Sequence, residues 1–181
     1  MFGFEIKGLK VVALSDTHAR HRTLSVPACD VLVHAGDACN LGNKEQLKDF
    51  FDWYQTQLAR YKIFVAGNHD TLFETANQEL ENMIPKSVIY LENNLIEIEG
   101  VTFASIAARP KLKCFIEYEP IDVLVTHGAP FGIQDEEGKG CKDLAKQILL
   151  IEPQYALFGH CHKGNKSPLR IGKTIYVNVT L

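Results

Sequence analysis

Residues 10–18 read KVVALSDTH, a short apolar run that stops on a serine, an aspartate and, two residues further, a histidine. The pattern recurs as DVLVHAGD at 30–37, KIFVAGNHD at 62–70, IDVLVTHG at 121–128 and YALFGHCH at 155–162. Within each run apolar residues do not alternate with polar ones, as expected of strands covered on both faces of a sheet. Between the runs the period changes. Leu47, Phe50, Phe51, Tyr54 and Leu58 recur at helical spacing across residues 43–60, and Asn43 with Gln46 three residues on resembles a capping box. The spacing predicts a second helix from about Asp70 or Thr71, carrying Leu72, Phe73, Ala76 and Leu80, and a third over 141–151. VIYL, LIEIE and VTFASIA read as further strands, the last two joined by a hairpin at Gly100. The expected architecture is a layered α/β fold, central β-sheets flanked by helices.

The 181 residues show no repeat, low-complexity tract or Pro/Gly/Ser-rich linker, so one domain over 1–181 is expected. A formal charge of −3 offers no general attraction to nucleic acid or to an anionic membrane, so any anion must be captured by a local positive centre. Glu5, Lys7 and Lys10 interrupt the first apolar stretch, which leaves neither a signal peptide nor a membrane span; a cytoplasmic protein is expected. The cysteines 29, 39, 114, 141 and 161 are scattered without a CxxC pair and read as reduced, partly buried small side chains.

Ligands of an open α/β sheet bind beyond the carboxyl ends of its strands, and all five polar clusters follow such ends. Asp16 and His18, two apart in an expected extended stretch, point the same way, and His160 and His162 repeat the device. With Asp37, Asn68 and His127 they make seven oxygen or imidazole ligands, too many for one tetrahedral ion but suited to two ions sharing a bridging carboxylate. The set contains no thiolate and favours manganese, iron, zinc or cobalt without choosing among them.

DTH at 16–18, GD at 36–37, GNHD at 67–70, THG at 126–128 and GHCH at 159–162 resemble, in order, the motifs of calcineurin-like metallophosphoesterases. The wording SDTHARH, VHAGD, THGAP and FGHCHKG, with a late IYVN, is most similar to the branch of small metallophosphoesterase-domain-containing phosphodiesterases. The resemblance implies one divalent ion on Asp16, His18, Asp37 and His162, and a second on Asp37, Asn68, His127 and His160. Asp37 is then the bridge, manganese the expected activator, and hydrolysis an in-line attack by metal-bound hydroxide on a small phosphate ester. It also implies that His69 lies over the phosphate and that Asp70 orients the His69 imidazole. The chain departs from the family between VTFASIA and IDVLVTHG, where ARPKLKCFIEYEP replaces a longer tryptophan-rich segment that forms part of the substrate wall.

Several features have plainer readings. His34 reads as a hydrogen-bonded strand histidine, and Phe50, Phe51 and Tyr54 as core. Arg20, His21 and Arg22 form a basic loop from which Arg20 is a candidate for the substrate phosphate. Cys39 and Cys161, beside expected ligands, are candidates for oxidation. The rival functions are a phosphomonoesterase or nuclease of the same fold, and a non-catalytic protein-binding scaffold. The scaffold is disfavoured because every expected ligand is present, and the nuclease because there is no basic stripe.

Overall fold

A computed structural model of the chain describes residues 1–74, 78–108 and 120–181. Strands β1 (Phe2–Ile6), β2 (Leu9–Leu14), β3 (Cys29–Ala35), β4 (Ala59–Val65) and β5 (Ile89–Tyr90) form a five-stranded sheet in that order. β6 (Asn94–Ile98), β7 (Val101–Ser105), β8 (Val123–Val125), β9 (Tyr155–Phe158), β10 (Leu169–Ile171) and β11 (Thr174–Asn178) form a six-stranded one, ordered β10-β11-β9-β8-β7-β6. β2 to β5 run parallel, as do β7, β8, β9 and β11, so the carboxyl ends within each set line one edge of their sheet.

The sheets face each other. Val11, Ala13, Val31, Val33 and Val65 of the first share one buried cluster with Val101, Phe103, Val123, Leu157 and Val177 of the second. The opposite face of the first sheet, Val12, Leu14, Leu32 and Phe64, is covered by helix α1 (Lys44–Tyr54) through Leu47, Phe50, Phe51 and Tyr54. Ala104, Leu124, Ala156 and Phe158 of the second are covered by Leu144 and Ile148 of helix α3 (Lys142–Ile151). Both sheets are therefore enclosed on both sides, the physical reason the strands read as unbroken apolar runs. Burying each such large side chain contributes about 1.5–3 kcal/mol. The Tyr54 hydroxyl is satisfied within the core, shared between the Leu32 and Ile63 carbonyls at 3.0 and 2.8 Å.

Three details differ from the sequence reading. The first helix starts as expected, with the Asn43 side chain accepting from Gln46 N, but it ends at Tyr54, not near residue 60. The Thr56 hydroxyl and the Gln57 amide both donate to the Trp53 carbonyl (2.7 and 2.9 Å), and Ala59 already pairs with Cys29 in the sheet, leaving Leu58 exposed. The expected second helix is a 3-10 turn, Thr71–Glu74, and a separate helix α2 (Gln78–Met83); Phe73 and Leu80 reach the core, while Ala76 lies outside the described residues. β1 is absent from the sequence reading: Lys7 (φ 47°) and Gly8 (φ 86°) turn it back onto β2, a two-residue reversal of the kind that matches strand twist. The same geometry at Glu99 and Gly100 makes the expected β6–β7 hairpin. Among the described residues no helix is long and apolar enough to cross a membrane. The shortened segment singled out above, 109–119 with Cys114, lies outside the described residues.

Candidate metal centre

Beyond β2 and β3 the chain keeps pairing after regular strand has ended. Asp16 N donates to Gly36 O (2.8 Å), His18 N to Asp37 O (3.0 Å) and Ala19 N to Ala38 O (2.9 Å). The expectation that Asp16 and His18 converge because the stretch is extended is corrected. Asp16 (φ 58°), His18 (φ 42°), Asp37 (φ 58°) and His160 (φ 68°) all adopt left-handed backbone. Non-glycine residues enter that region at roughly 1–2 kcal/mol each, and such strain gathers where a site over-determines the chain. Close approach also explains two motif glycines. A side chain at Gly67 would lie 2.2 Å from Asp37 Oδ1, and one at Gly159 would lie 2.6 Å from Asp16 Oδ2.

The structure gathers the seven expected ligands around two triplets, Asp37, His127 and His160, and Asp16, His18 and His162, within each of which the ligand atoms lie within 4.8 Å of one another. In the first, His127 Nδ1 donates to Ala35 O (2.8 Å), which turns Nε2 toward Asp37 Oδ1 at 3.3 Å. Asn68 Oδ1 lies 2.9 Å from that Nε2 and 2.8 Å from His160 Nδ1. In the second, Asp16 Oδ1 lies 3.4 Å from His162 Nε2 and 3.9 Å from His18 Nε2, while Asp37 Oδ2 is 3.8 Å from the same His18 nitrogen.

The electrostatics ask for positive charge. Burial alone would raise the Asp37 carboxyl, but the His127 hydrogen bond and charge, with the His69 backbone N–H, hold it down to about 2. Burial likewise opposes protonation of His127, yet Asp37 and Asp16 raise it to about 9. His160 is lowered, by burial first and then by His127. Asp16 Oδ2 accepts from Ser15 Oγ and from His160 N, but its Oδ1 is buried without a hydrogen-bond partner among the described residues. A buried carboxylate oxygen left bare among imidazole nitrogens is what a cation would satisfy, so the residues fit divalent metal.

His69 stands beside the triplets. Its N–H donates to Asp37 Oδ1 (2.8 Å), its ring meets that of His18 edge-on at 4.9 Å, and its Nδ1 is buried without a hydrogen-bond partner among the described residues. The implied pairing of Asp70 with that imidazole is corrected, because the Asp70 carboxylate is committed to backbone. It accepts from Gly67 N (2.9 Å), Asp37 N (2.8 Å), Ala38 N (3.0 Å) and Cys39 N (3.1 Å), tying the loop after β4 to the loop after β3. Sequence reasoning also misses Ser15, whose only signal is its place before Asp16.

Of the basic loop, His21 and Arg22 are both held on Asp49 at 3.0 and 2.6 Å, and buried His21 meets Phe50 and Trp53. Arg20 is exposed and lines a small cavity with Thr17, Thr23, Leu24 and Leu181. His34 is a buried strand residue whose Nε2 lies 3.1 Å from Thr17 Oγ1. Cys39 and Cys161 are buried, and burial raises both thiols, Cys161 to about 11, which weighs against the expectation of oxidation-prone cysteines.

The profile of the calcineurin-like phosphoesterase superfamily domain matches residues 9–179. The chain is similar to the UPF0046 protein K07C11.7 of Caenorhabditis elegans, 35% identical over 94% of this chain and 69% of that protein. It is also similar to metallophosphoesterase domain-containing protein 1 of Homo sapiens, 27% identical over 95% of this chain and 66% of that protein. The chain thus spans about two thirds of the length of either relative. Among solved structures, the phosphopantetheinyl hydrolase PptH of Mycobacterium tuberculosis shares the fold at a TM-score of 0.64 and 16% identity, over 94% of this chain and 88% of that one. TT1561 of Thermus thermophilus shares it at 0.65 and 14%, over 93% and 87%. With a profile running from the start of β2 to the end of the last strand, and relatives aligned across nearly the whole length, the chain belongs to the calcineurin-like phosphoesterase superfamily, a family of metal-dependent phosphoesterases.

Proposed function

We propose that the chain is a two-metal phosphodiesterase, with Asp16, His18, Asp37 and His162 around one divalent ion and Asp37, Asn68, His127 and His160 around the other. The observation that carries this reading is the placement of Asp37, with Oδ2 3.8 Å from His18 Nε2 and Oδ1 3.3 Å from His127 Nε2, so that one carboxylate faces both triplets. The donors suit manganese, iron, zinc or cobalt, with manganese as activator. When bound, such ions offer positive charge to phosphoryl oxygens and lower the pKa of water toward neutrality. The carboxylates of Asp16 and Asp37 do not neutralise two dications, so the pocket attracts phosphate despite the acidic surface.

The residues of the chain then divide the work. His69 is the catalytic imidazole, its backbone N–H anchored on Asp37 and its ring edge-on to His18 beside the triplets, from where it donates a proton to the leaving oxygen. Asp70 is a positioning residue that fixes the Asp37 backbone. Arg20 supplies a guanidinium with which to meet the substrate phosphate. A metal centre alone favours the doubly charged monoester, so a diester preference has to arise from the pocket walls; it rests on the resemblance of the motifs to the small phosphodiesterase branch.

Metal-stripped protein resupplied with single cations, assayed on bis-aryl and mono-aryl phosphates, cyclic nucleotides and single-stranded DNA, tests the proposal. Manganese-dependent turnover fastest on the bis-aryl diester is expected. Faster monoester hydrolysis at saturating metal overturns the diester preference, and efficient DNA cleavage makes the chain a nuclease. Bound metal without turnover on any phosphate makes it a scaffold.

A further inference from the structure

His160 and His162 flank Cys161 on the turn after β9, and the two rings are held unequally. His160 has Asn68 Oδ1 at 2.8 Å from its Nδ1, and its backbone N–H donates to Asp16 Oδ2 at 3.0 Å. Among the described residues the His162 ring, 45% exposed, lies near Asp16 Oδ1 at 3.4 Å and the His18 ring, stacked at 5.4 Å. Its position therefore depends on the backbone that carries it. Asn178, the last residue of β11 and 2% exposed, reaches that backbone: its Nδ2 donates to the Cys161 carbonyl at 2.7 Å. Its Oδ1 accepts from Thr180 N at 3.1 Å, so one partner is an acceptor and the other a donor, and the amide has a single orientation. Its own N–H donates to Gln134 Oε1 (3.0 Å), and Gln134 Nε2 donates to Ser167 O (2.6 Å). The fit is tight, since a side chain at Gly164 would approach Asn178 Nδ2 to 2.7 Å.

The geometry points to Asn178 as the positioning residue of His162, setting the affinity of the Asp16/His18/His162 triplet for its divalent ion and leaving the Asp37/His127/His160 triplet to its own contacts. This inference rests on the two-metal reading proposed above. Partners that orient metal ligands typically change affinity about 10–100-fold when removed.

Calorimetric titration of metal-stripped protein with manganese chloride tests it. Asn178→Asp keeps the size and the acceptor for Thr180 N but loses the donor to Cys161. The expected result is two binding steps in the unmodified chain, the weaker of which weakens a further 10–100-fold in Asn178→Asp while the tighter one is unchanged. The metal-free melting temperature serves as the fold control. Should Asn178→Asp fail to fold, Gln134→Ala, which releases the Asn178 backbone N–H, is expected to weaken the same step to a smaller degree. Equal loss at both steps, or none at either with whichever variant folds, overturns the assignment of Asn178 while the two-metal reading stands. A single step in the unmodified chain overturns the two-metal reading itself and the inference with it.

Discussion

The two triplets use the same side chains and are built differently. Asp37 and His127 are 2% and 0% exposed, and the His127 ring is held from both sides, by the Ala35 carbonyl and by Asn68. In the other triplet His18 and His162 are 16% and 45% exposed, and among the described residues neither imidazole has a contact to Asp16 shorter than 3.4 Å. The deep triplet is organised by the sheet interior, where low dielectric strengthens every charge interaction. The rim triplet sets a fully buried Asp16 beside the two more exposed imidazoles, His18 and His162. One end of the cluster is thus held by buried contacts, and the other carries the two more exposed imidazoles.

The most severe way to break this contrast is Asp37→Ala, because among the described residues Asp37 is the carboxylate facing both triplets. Turnover should fall below detection and metal content should drop at both ends; undiminished turnover would mean the triplets do not share it. His69→Ala should lower turnover about 10²–10⁴-fold with metal content nearly unchanged, read by steady-state rates beside elemental analysis. Loss of metal in that variant would place His69 among the ligands. Asp70→Ala should act through stability, since it strands the buried N–H groups of Gly67, Asp37, Ala38 and Cys39, each at about 1–3 kcal/mol. A total of about 4 kcal/mol or more is expected in denaturant unfolding, and a variant as stable as the unmodified chain would show that the carboxylate does not organise the deep end. The smallest expected effect is that of a thiol-alkylating reagent on the native protein: Cys39 and Cys161 should stay unmodified, and rapid labelling of either would show that the deep backbone opens.

Much of this is legible in the sequence because the folding logic is local to each strand. Runs such as DVLVHAGD are apolar throughout since both faces of the sheet are covered, and a ligand follows each run since parallel strands end on one edge. What is not legible depends on partners distant in sequence. The left-handed conformation of Asp16 and His18 follows from pairing with the loop that carries Asp37, which spacing alone does not reveal. The resemblance makes Asp70 a partner for His69, whereas its acceptors are used by amides some thirty residues earlier. Helix α1 reads too long because Leu58 continues the apolar period, although Ala59 is already claimed by Cys29. β1 escapes the sequence reading because Glu5, Lys7 and Lys10 are weighed only against a membrane span, whereas Glu5 lies on the exposed side of an edge strand, Lys7 in the turn and Lys10 on β2.

On the two-metal reading proposed above, one carboxylate, that of Asp37, joins two divalent-metal sites of unequal depth. The most direct test of that reading is the number of manganese ions bound per metal-stripped chain, counted by elemental analysis after equilibrium dialysis, for the unmodified protein and for His162→Ala. Two ions per chain are expected in the former and one, retained by the deep triplet, in the latter. One ion in the unmodified chain, or complete loss from His162→Ala, would contradict that reading.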